Sequence, residues 1–124
     1  MKKAFLILAL ISFSLGFSQT EKSANKKIIK TFQTAYNLSD YETVFSLFSD
    51  DKKETFSLEN TKIYFERMHK TRGNLLSLAF DREEEGVHIY KAIFKNEEGE
   101  VIVKVNNKNK ATQLDIRTTV AVKK

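Results

Sequence analysis

The chain of 124 residues has no cysteine, no proline and no tryptophan, and it has only four glycines. The absence of cysteine excludes disulfides and a lipid-modified cysteine, so the fold must be stabilised by packing and hydrogen bonding. The three glycines after residue 18 are at least 13 positions apart. This spacing excludes a G-x-S-x-G nucleophile elbow, a glycine-rich phosphate loop and a dinucleotide fingerprint, because each needs glycines only a few positions apart.

Histidine is scarce as well. His69 and His88 are the only two; they fall on different predicted elements, and neither has a second histidine at ligand spacing. The acidic group at residues 81–85 lacks the alternating ligands and central glycine of a calcium loop. The sequence therefore predicts no metal site and no cofactor.

The N-terminus has the pattern of a secretory signal peptide. Lys2 and Lys3 precede an apolar run over residues 4–15, and the small residues Gly16 and Ser18 suit cleavage after Ser18, with cleavage after Gln19 as the alternative. The run is shorter than the roughly 20 apolar residues of a membrane span. We therefore expect an exported protein, periplasmic or extracellular, that makes no membrane contact once residues 1–18 are removed.

The remaining chain has the size of one domain. We predict an N-terminal tail over residues 19–25 and a single domain over residues 26–124. The net charge of +5 falls by two when Lys2 and Lys3 are removed. No aromatic residues alternate with the lysines, so nucleic-acid binding is not expected.

Helical periodicity occupies the first half of this domain. Apolar residues predict an amphipathic helix over residues 26–37. Ser39 with Glu42 has the spacing of a capping box for a second, short helix. Residues 50–54 are polar and predict a loop, after which Ser57 can cap a third helix that Gly73 ends.

Strand periodicity follows Gly73. Strands are predicted over residues 75–81, 87–95, 100–106 and 112–122, with hairpin turns at Gly86 and Gly99. Four successive strands predict an antiparallel meander. The fold class is therefore α+β, with two to three N-terminal helices packed against a four-stranded antiparallel sheet.

Because successive side chains of a strand point to opposite sides, the sequence predicts which residues share each face of the sheet. One face, which we expect to meet the helices, carries the following residues: His88, Tyr90, Ala92, Phe94, Val101, Val103, Val105, Leu114, Ile116, Thr118, Val120 and Val122. The opposite side of the second strand is also apolar at Val87, Ile89 and Ile93. Since a doubly apolar strand is usually covered on both faces, these three are a candidate interface for a homodimer. Scattered exposure of the three is the alternative.

Four stretches carry a resemblance to a known fold: residues 36–41 (YNLSDY), residues 44–48 (VFSLF), Phe65 and Met68 leading to 73–75 (GNL), and residues 90–94 (YKAIF). Over residues 26–118 the chain resembles a small bacterial secreted domain of the cystatin-like, nuclear-transport-factor-two-like class. That domain occurs alone or beside serine-hydrolase (beta-lactamase-like) domains. The resemblance implies a curved sheet wrapped around the helices as a cone. The chain departs from the pattern at Asp115, where many relatives have glycine.

The functional prediction is an exported, non-enzymatic binding or accessory domain, with a small apolar ligand or a secreted protein as partner. The candidate ligand pocket contains five residues: Tyr36, Tyr64, Met68, His88 and Tyr90. This composition is typical of a small-ligand site, although the same residues would equally fill a core.

Two alternatives stay open. Enzymes of this cone class, such as ketosteroid isomerase, use an Asp or His base with a Tyr donor, and the resemblance makes His88 and Tyr90 such a pair. No carboxylate is predicted beside His88 on its face. The other alternative is an interaction module that uses the Val87, Ile89 and Ile93 side of the sheet.

Overall fold

The computed structural model describes residues 21–118, which form four helices followed by four strands. The helices are α1 (Ser23–Asn37), α2 (Tyr41–Ser46), α3 (Asp50–Thr55) and α4 (Leu58–Arg72). The strands are β1 (Leu75–Glu84), β2 (Val87–Phe94), β3 (Glu98–Val105) and β4 (Ala111–Thr118). They form one open antiparallel sheet in the order β1-β2-β3-β4. The α+β class and the meander are therefore confirmed, while the predicted signal peptide and residues 119–124 lie outside the described residues.

Helix α1 packs against β1 and β3 through one apolar stripe. It begins at Ser23 rather than at residue 26 and ends at Asn37 as predicted. Ser39 follows with φ +59°, and this left-handed turn ends the helix. Because Ser39 forms that turn, the predicted capping box is wrong. Asp40 caps α2 instead, with its Oδ1 accepting from the Thr43 N–H at 3.3 Å.

The predicted loop at residues 50–54 is helix α3. Ser49 caps it, with Oγ accepting from the Lys52 N–H at 3.1 Å. The Ser49 N–H donates to the Ala111 carbonyl at 2.8 Å, and Phe48 forms a bridge with the same residue. A six-residue helix is too short to be stable alone, so its attachment to β4 explains why a polar segment is ordered as a helix.

Helix α4 matches the prediction at both ends. Ser57 Oγ accepts from the Asn60 N–H at 3.1 Å, and Gly73, with φ +82°, ends the helix while donating its N–H to the His69 carbonyl at 2.8 Å. The buried residues of α4 are Thr61 and Phe65, and the helix packs against α2 and α1.

Of the two glycines predicted to lie in hairpin turns, only one does so in the structure. Gly86 has φ +83° in the β1–β2 turn, as predicted. Gly99 lies inside β3 and pairs with Ala92 and Thr118, so its assignment to a turn is wrong. A Cβ at Gly99 would stand 2.5 Å from the Arg117 carbonyl oxygen. Glycine is needed there because β4 approaches the backbone closely.

The side of the sheet that faces the helices, here called the inner face, is the one predicted by alternation. Its residues join the helix stripes in one core, whose fully buried rings include Phe32, Tyr36, Phe48, Phe65 and Tyr90. Phe32 contacts Phe65 and Tyr36 at ring-centroid distances of 5.5 and 5.7 Å. Aromatic side chains therefore fill the space between the helices and the inner face.

Candidate functional site

Tyr36, from the predicted pocket, is fully buried and its hydroxyl is already bonded. The hydroxyl donates to the Gly73 carbonyl at 3.2 Å, and the ring lies 4.7 Å from that of His69. Burial raises the pKa of Tyr36 well above its ordinary value. The side chain thus joins α1 to the end of α4 within the core.

Tyr64 and Met68 lie on α4 and are half-buried. The Tyr64 hydroxyl donates to the Ile116 carbonyl at 3.3 Å and accepts from the Ile116 N–H at 3.2 Å. Burial raises the pKa of Tyr64 as well. The Met68 sulfur accepts from Arg72 Nη1 at 3.2 Å. The Tyr64 hydrogen bonds hold α4 against β4, whereas the Met68 contact lies within α4.

Tyr90 is 1% exposed on β2. Its hydroxyl donates to Glu21 Oε2 at 2.6 Å, across 69 positions of the chain. Burial is the main cause that raises the pKa of Tyr90 well above its ordinary value, and the Glu21 carboxylate adds to it. The residues just before α1 therefore close over the phenol of Tyr90.

His88 is the next inner-face residue on β2 and is 2% exposed. Its ring lies 5.5 Å from the ring of Phe80, which is also 5.5 Å from Tyr90. Glu83 is its cross-strand partner, with Oε1 3.8 Å from His88 Nε2. The expectation that no carboxylate lies beside His88 is therefore wrong. Neither ring nitrogen of His88 has a hydrogen-bond partner within residues 21–118.

His88 lines a cavity of about 240 Å³ at the end of the sheet that holds the β1–β2 and β3–β4 turns. We call it the His88 cavity. Its walls come from the start of α1, from both turns and from β2 and β3: Lys22, Ala24, Asn25, Gly86, His88, Val105, Asn106, Asn107 and Asn109. Asn25 is 2% exposed. The cavity therefore combines buried polar side chains with the first turn of a 15-residue helix.

The structure brings His88 and Tyr90 together around Phe80. It places Tyr64 in another part of the core, linked to Tyr36 through the rings of Phe65 and Phe32. Ligand binding by the five predicted residues stays a prediction, and His88 is the one that lines the cavity described above.

The opposite side of the sheet, the outer face, has a layer of charged side chains. Arg82 on β1 pairs with Ile89 in register and reaches Glu100 on β3, where its Nη1 lies 3.5 Å from Oε2. Its guanidinium must therefore cross β2. Arg117 on β4 contacts the other oxygen of Glu100 at 2.6 Å. Hydrogen bonds to the Glu84 and Asp81 carboxylates raise the pKa of Arg82 above its ordinary value.

This layer covers part of the predicted interface. Ile89 is 3% and Ile102 7% exposed, whereas Ile93 is 45% exposed. Val87 and Ile89 also line an open groove of about 600 Å³ with five others: Glu84, Glu85, Ile102, Gln113 and Arg117. The protein's own side chains thus cover Ile89, while Val87 is half-buried and Ile93 is exposed.

Sequence reasoning missed Glu83 and Glu21 as neighbours of the candidate residues. The position of Glu83 could have been predicted from the sequence, because a two-residue turn at Glu85-Gly86 places Glu83 opposite His88. The contact of Glu21 with Tyr90 could not have been predicted, because no local sequence pattern indicates that the segment before α1 reaches Tyr90.

Among residues 21–118, no three histidine, cysteine, aspartate or glutamate side chains group closely enough to hold a metal ion. In the same range, no helix has the length and apolar character that crossing a membrane requires. Comparison with known proteins found no matching family model, no matching curated protein and no matching solved structure.

Proposed function

We propose that this chain is an exported, non-enzymatic binding module whose ligand binds in the His88 cavity. The observation that carries the proposal is the His88 side chain, which is 2% exposed with both ring nitrogens unbonded within the described residues. A buried polar atom without a partner costs about 1–3 kcal/mol, and native proteins retain few of them. A ligand that bonds the imidazole would offset this cost.

The filled core supports a site at the end of the domain rather than at its centre. Tyr36, Tyr64 and Tyr90 all use their hydroxyls in bonds within the protein. A ligand site needs a few polar residues in its lining, and in the region described here His88 and the neighbouring asparagines line the cavity. The sequence resemblance to a secreted cone-shaped domain and the open α+β fold agree with a binding or accessory role.

Catalysis by His88 and Tyr90 would require this pair to rearrange. Glu83 supplies the carboxylate that a general base needs for orientation, although 3.8 Å from Nε2 is beyond hydrogen-bond length. The Tyr90 hydroxyl, which would have to donate to a substrate, already donates to Glu21 at 2.6 Å. The binding proposal needs no rearrangement of that pair.

Native mass spectrometry of the protein exported by its own host tests the proposal. We expect a bound small molecule of a size that about 240 Å³ accommodates. His88→Gln should lose it, whereas His69→Gln, which changes the other histidine, should retain it. Far-UV circular dichroism checks that both variants fold. Ligand-free parent protein, or equal retention by His88→Gln, would contradict the proposal.

The groove on the outer face favours a second candidate function, pairing with a second copy of the chain. Glu84 and Glu85 lie on the β1 side of the groove and Arg117 on the β4 side. With a two-fold axis parallel to the strands, the acidic side of each copy faces Arg117 of the other, because such an interface uses the same patch twice.

Analytical ultracentrifugation tests this second candidate. We expect a dimer that Arg117→Glu weakens at least tenfold. Lys91→Glu is the control, because it makes the same charge change on the outer face outside the groove. A monomer at all concentrations, or equal weakening by both variants, would refute pairing through the groove.

A further inference from the structure

The residues around the His88 cavity indicate which class of molecule it would bind. Resting on the proposed function, we infer that the His88 cavity binds a small carboxylate anion, held by the N-terminus of α1, the Lys22 ammonium and the His88 imidazole. Three features point to an anion with a single charge and a short apolar stem: the helix end, the unbonded imidazole, and the size and walls of the cavity.

The first feature is the start of α1. Lys22 is the N-cap residue and makes no side-chain cap hydrogen bond, and the first helical turn contains no acidic residue. The first backbone N–H groups of a helix have no partner within the helix, and its N-terminus behaves as roughly half a positive charge. Lys22, Ala24 and Asn25 of this segment line the cavity, so the positive helix end adjoins this space and one of the lining residues is cationic.

His88 is the second and independent feature. Its ring nitrogens are buried and have no hydrogen-bond partner among residues 21–118, and the side chain lines the cavity. An imidazole always carries at least one N–H that can donate to an anionic oxygen. Hydrogen bonds to a charged acceptor are about twice as strong as those between neutral groups.

The third feature is the volume and lining of the cavity, which favour a small, singly charged anion. A volume of about 240 Å³ corresponds to roughly eight water molecules and suits a molecule of a few heavy atoms. Val105 and Ala24 provide apolar surface for an aliphatic stem, and three asparagines of the β3–β4 turn provide amide donors. The Glu83 carboxylate near His88 would repel a doubly charged phosphate more than a singly charged carboxylate.

Imidazole NMR tests the inference directly, because the chain has only two histidines. The protein, ¹⁵N-labelled and exported by its own host, is titrated separately with butyrate, butyramide and inorganic phosphate. His69 is the internal control, since its Nε2 already contacts Asn74 Oδ1 at 2.6 Å. We expect butyrate to shift the His88 signals saturably, butyramide to bind at least tenfold more weakly, and the His69 signals to stay in place.

Two charge variants locate the anion without altering the core. Lys22→Gln should weaken butyrate binding about 3- to 5-fold, the upper part of the usual range for a charge interaction at a helix N-terminus. Lys26→Gln removes the same charge one turn further along α1, from an exposed residue outside the cavity, and should weaken binding less than twofold. Equal weakening by both variants would overturn the assigned position.

The remaining outcomes separate the inference from the proposed function. If butyramide shifts His88 as strongly as butyrate, the carboxylate inference fails and the binding module stands. If phosphate binds more tightly than butyrate, the preference for a singly charged anion is wrong. If none of the three probes moves the His88 signals, the anion inference is overturned, and the mass of any retained molecule decides the proposed function separately.

Discussion

Alkaline unfolding tests whether the core of this domain is filled or open to water. Tyr36 and Tyr90 are 0% and 1% exposed, and burial raises the pKa of both phenols. Tyrosine in the unfolded chain has a pKa near 10. Below that pH both states keep their phenol protons and stability is unaffected. As pH rises above 10, only the unfolded chain loses the protons, so stability falls.

The size of the effect follows from this difference in proton binding. At pH 11, each tyrosine that stays protonated in the folded state costs about 1.4 kcal/mol of the free energy of unfolding relative to pH 8. Tyr36 and Tyr90 together therefore cost about 3 kcal/mol, and the half-buried Tyr64 adds less because water partly reaches it. This is a large part of the 5–15 kcal/mol of a typical domain.

Urea unfolding followed by far-UV circular dichroism at pH 8 and pH 11 measures the loss. With an m-value of roughly 1.5 kcal/mol per molar, the midpoint should fall by about 2 M. Lysines titrate in the same range, so the decisive comparison is with Tyr90→Phe. This variant should lose about 1.4 kcal/mol less than the parent between the two pH values. An equal loss in both proteins would show that water reaches Tyr90, and would refute the filled core.

Substitutions at Gly99 and Asn37 test the packing of the sheet, with Gly86→Ala and Asn37→Asp as the comparison variants. Gly99→Ala should destabilise the protein by about 3 kcal/mol, because its Cβ would stand 2.5 Å from the Arg117 carbonyl; Gly86→Ala, which meets only conformational strain, should cost about 1 kcal/mol. Equal urea midpoints for these two variants would contradict the close approach of β4. Asn37→Ala should cost about 2 kcal/mol, because the Asn37 amide accepts from the Leu75 N–H at 2.7 Å and donates to its carbonyl at 2.9 Å. Asn37→Asp keeps only the acceptor and should fall between Ala and the parent in thermal unfolding.

Local sequence patterns predicted most of the fold. The end of α4 at Gly73, its cap at Ser57 and the alternation of β2 all follow from interactions within a few residues. The errors occurred where a distant segment intervenes. Residues 50–54 form a helix because Ser49 is bonded to Ala111, and Gly99 lies in a strand because Arg117 passes close to it.

The candidate site was only partly predictable. The alternation of β2 placed His88 on the inner face, and the Glu85-Gly86 turn would have placed Glu83 opposite it. The remaining walls of the His88 cavity come from the start of α1 and from the β3–β4 turn. These segments are far apart in the chain, and neither contains a motif that indicates their meeting.

The sequence by itself determined the α+β class, the order of helices before strands and the face of the sheet that the helices cover, because periodicity and capping act over a few residues. Only the tertiary structure decided that the tyrosine hydroxyls are used within the core and that Arg82 crosses β2 to Glu100. It also decided that His88 is buried unbonded beside the start of α1. These outcomes depend on contacts between residues far apart in the chain, and their geometry is set only when the helices pack on the sheet.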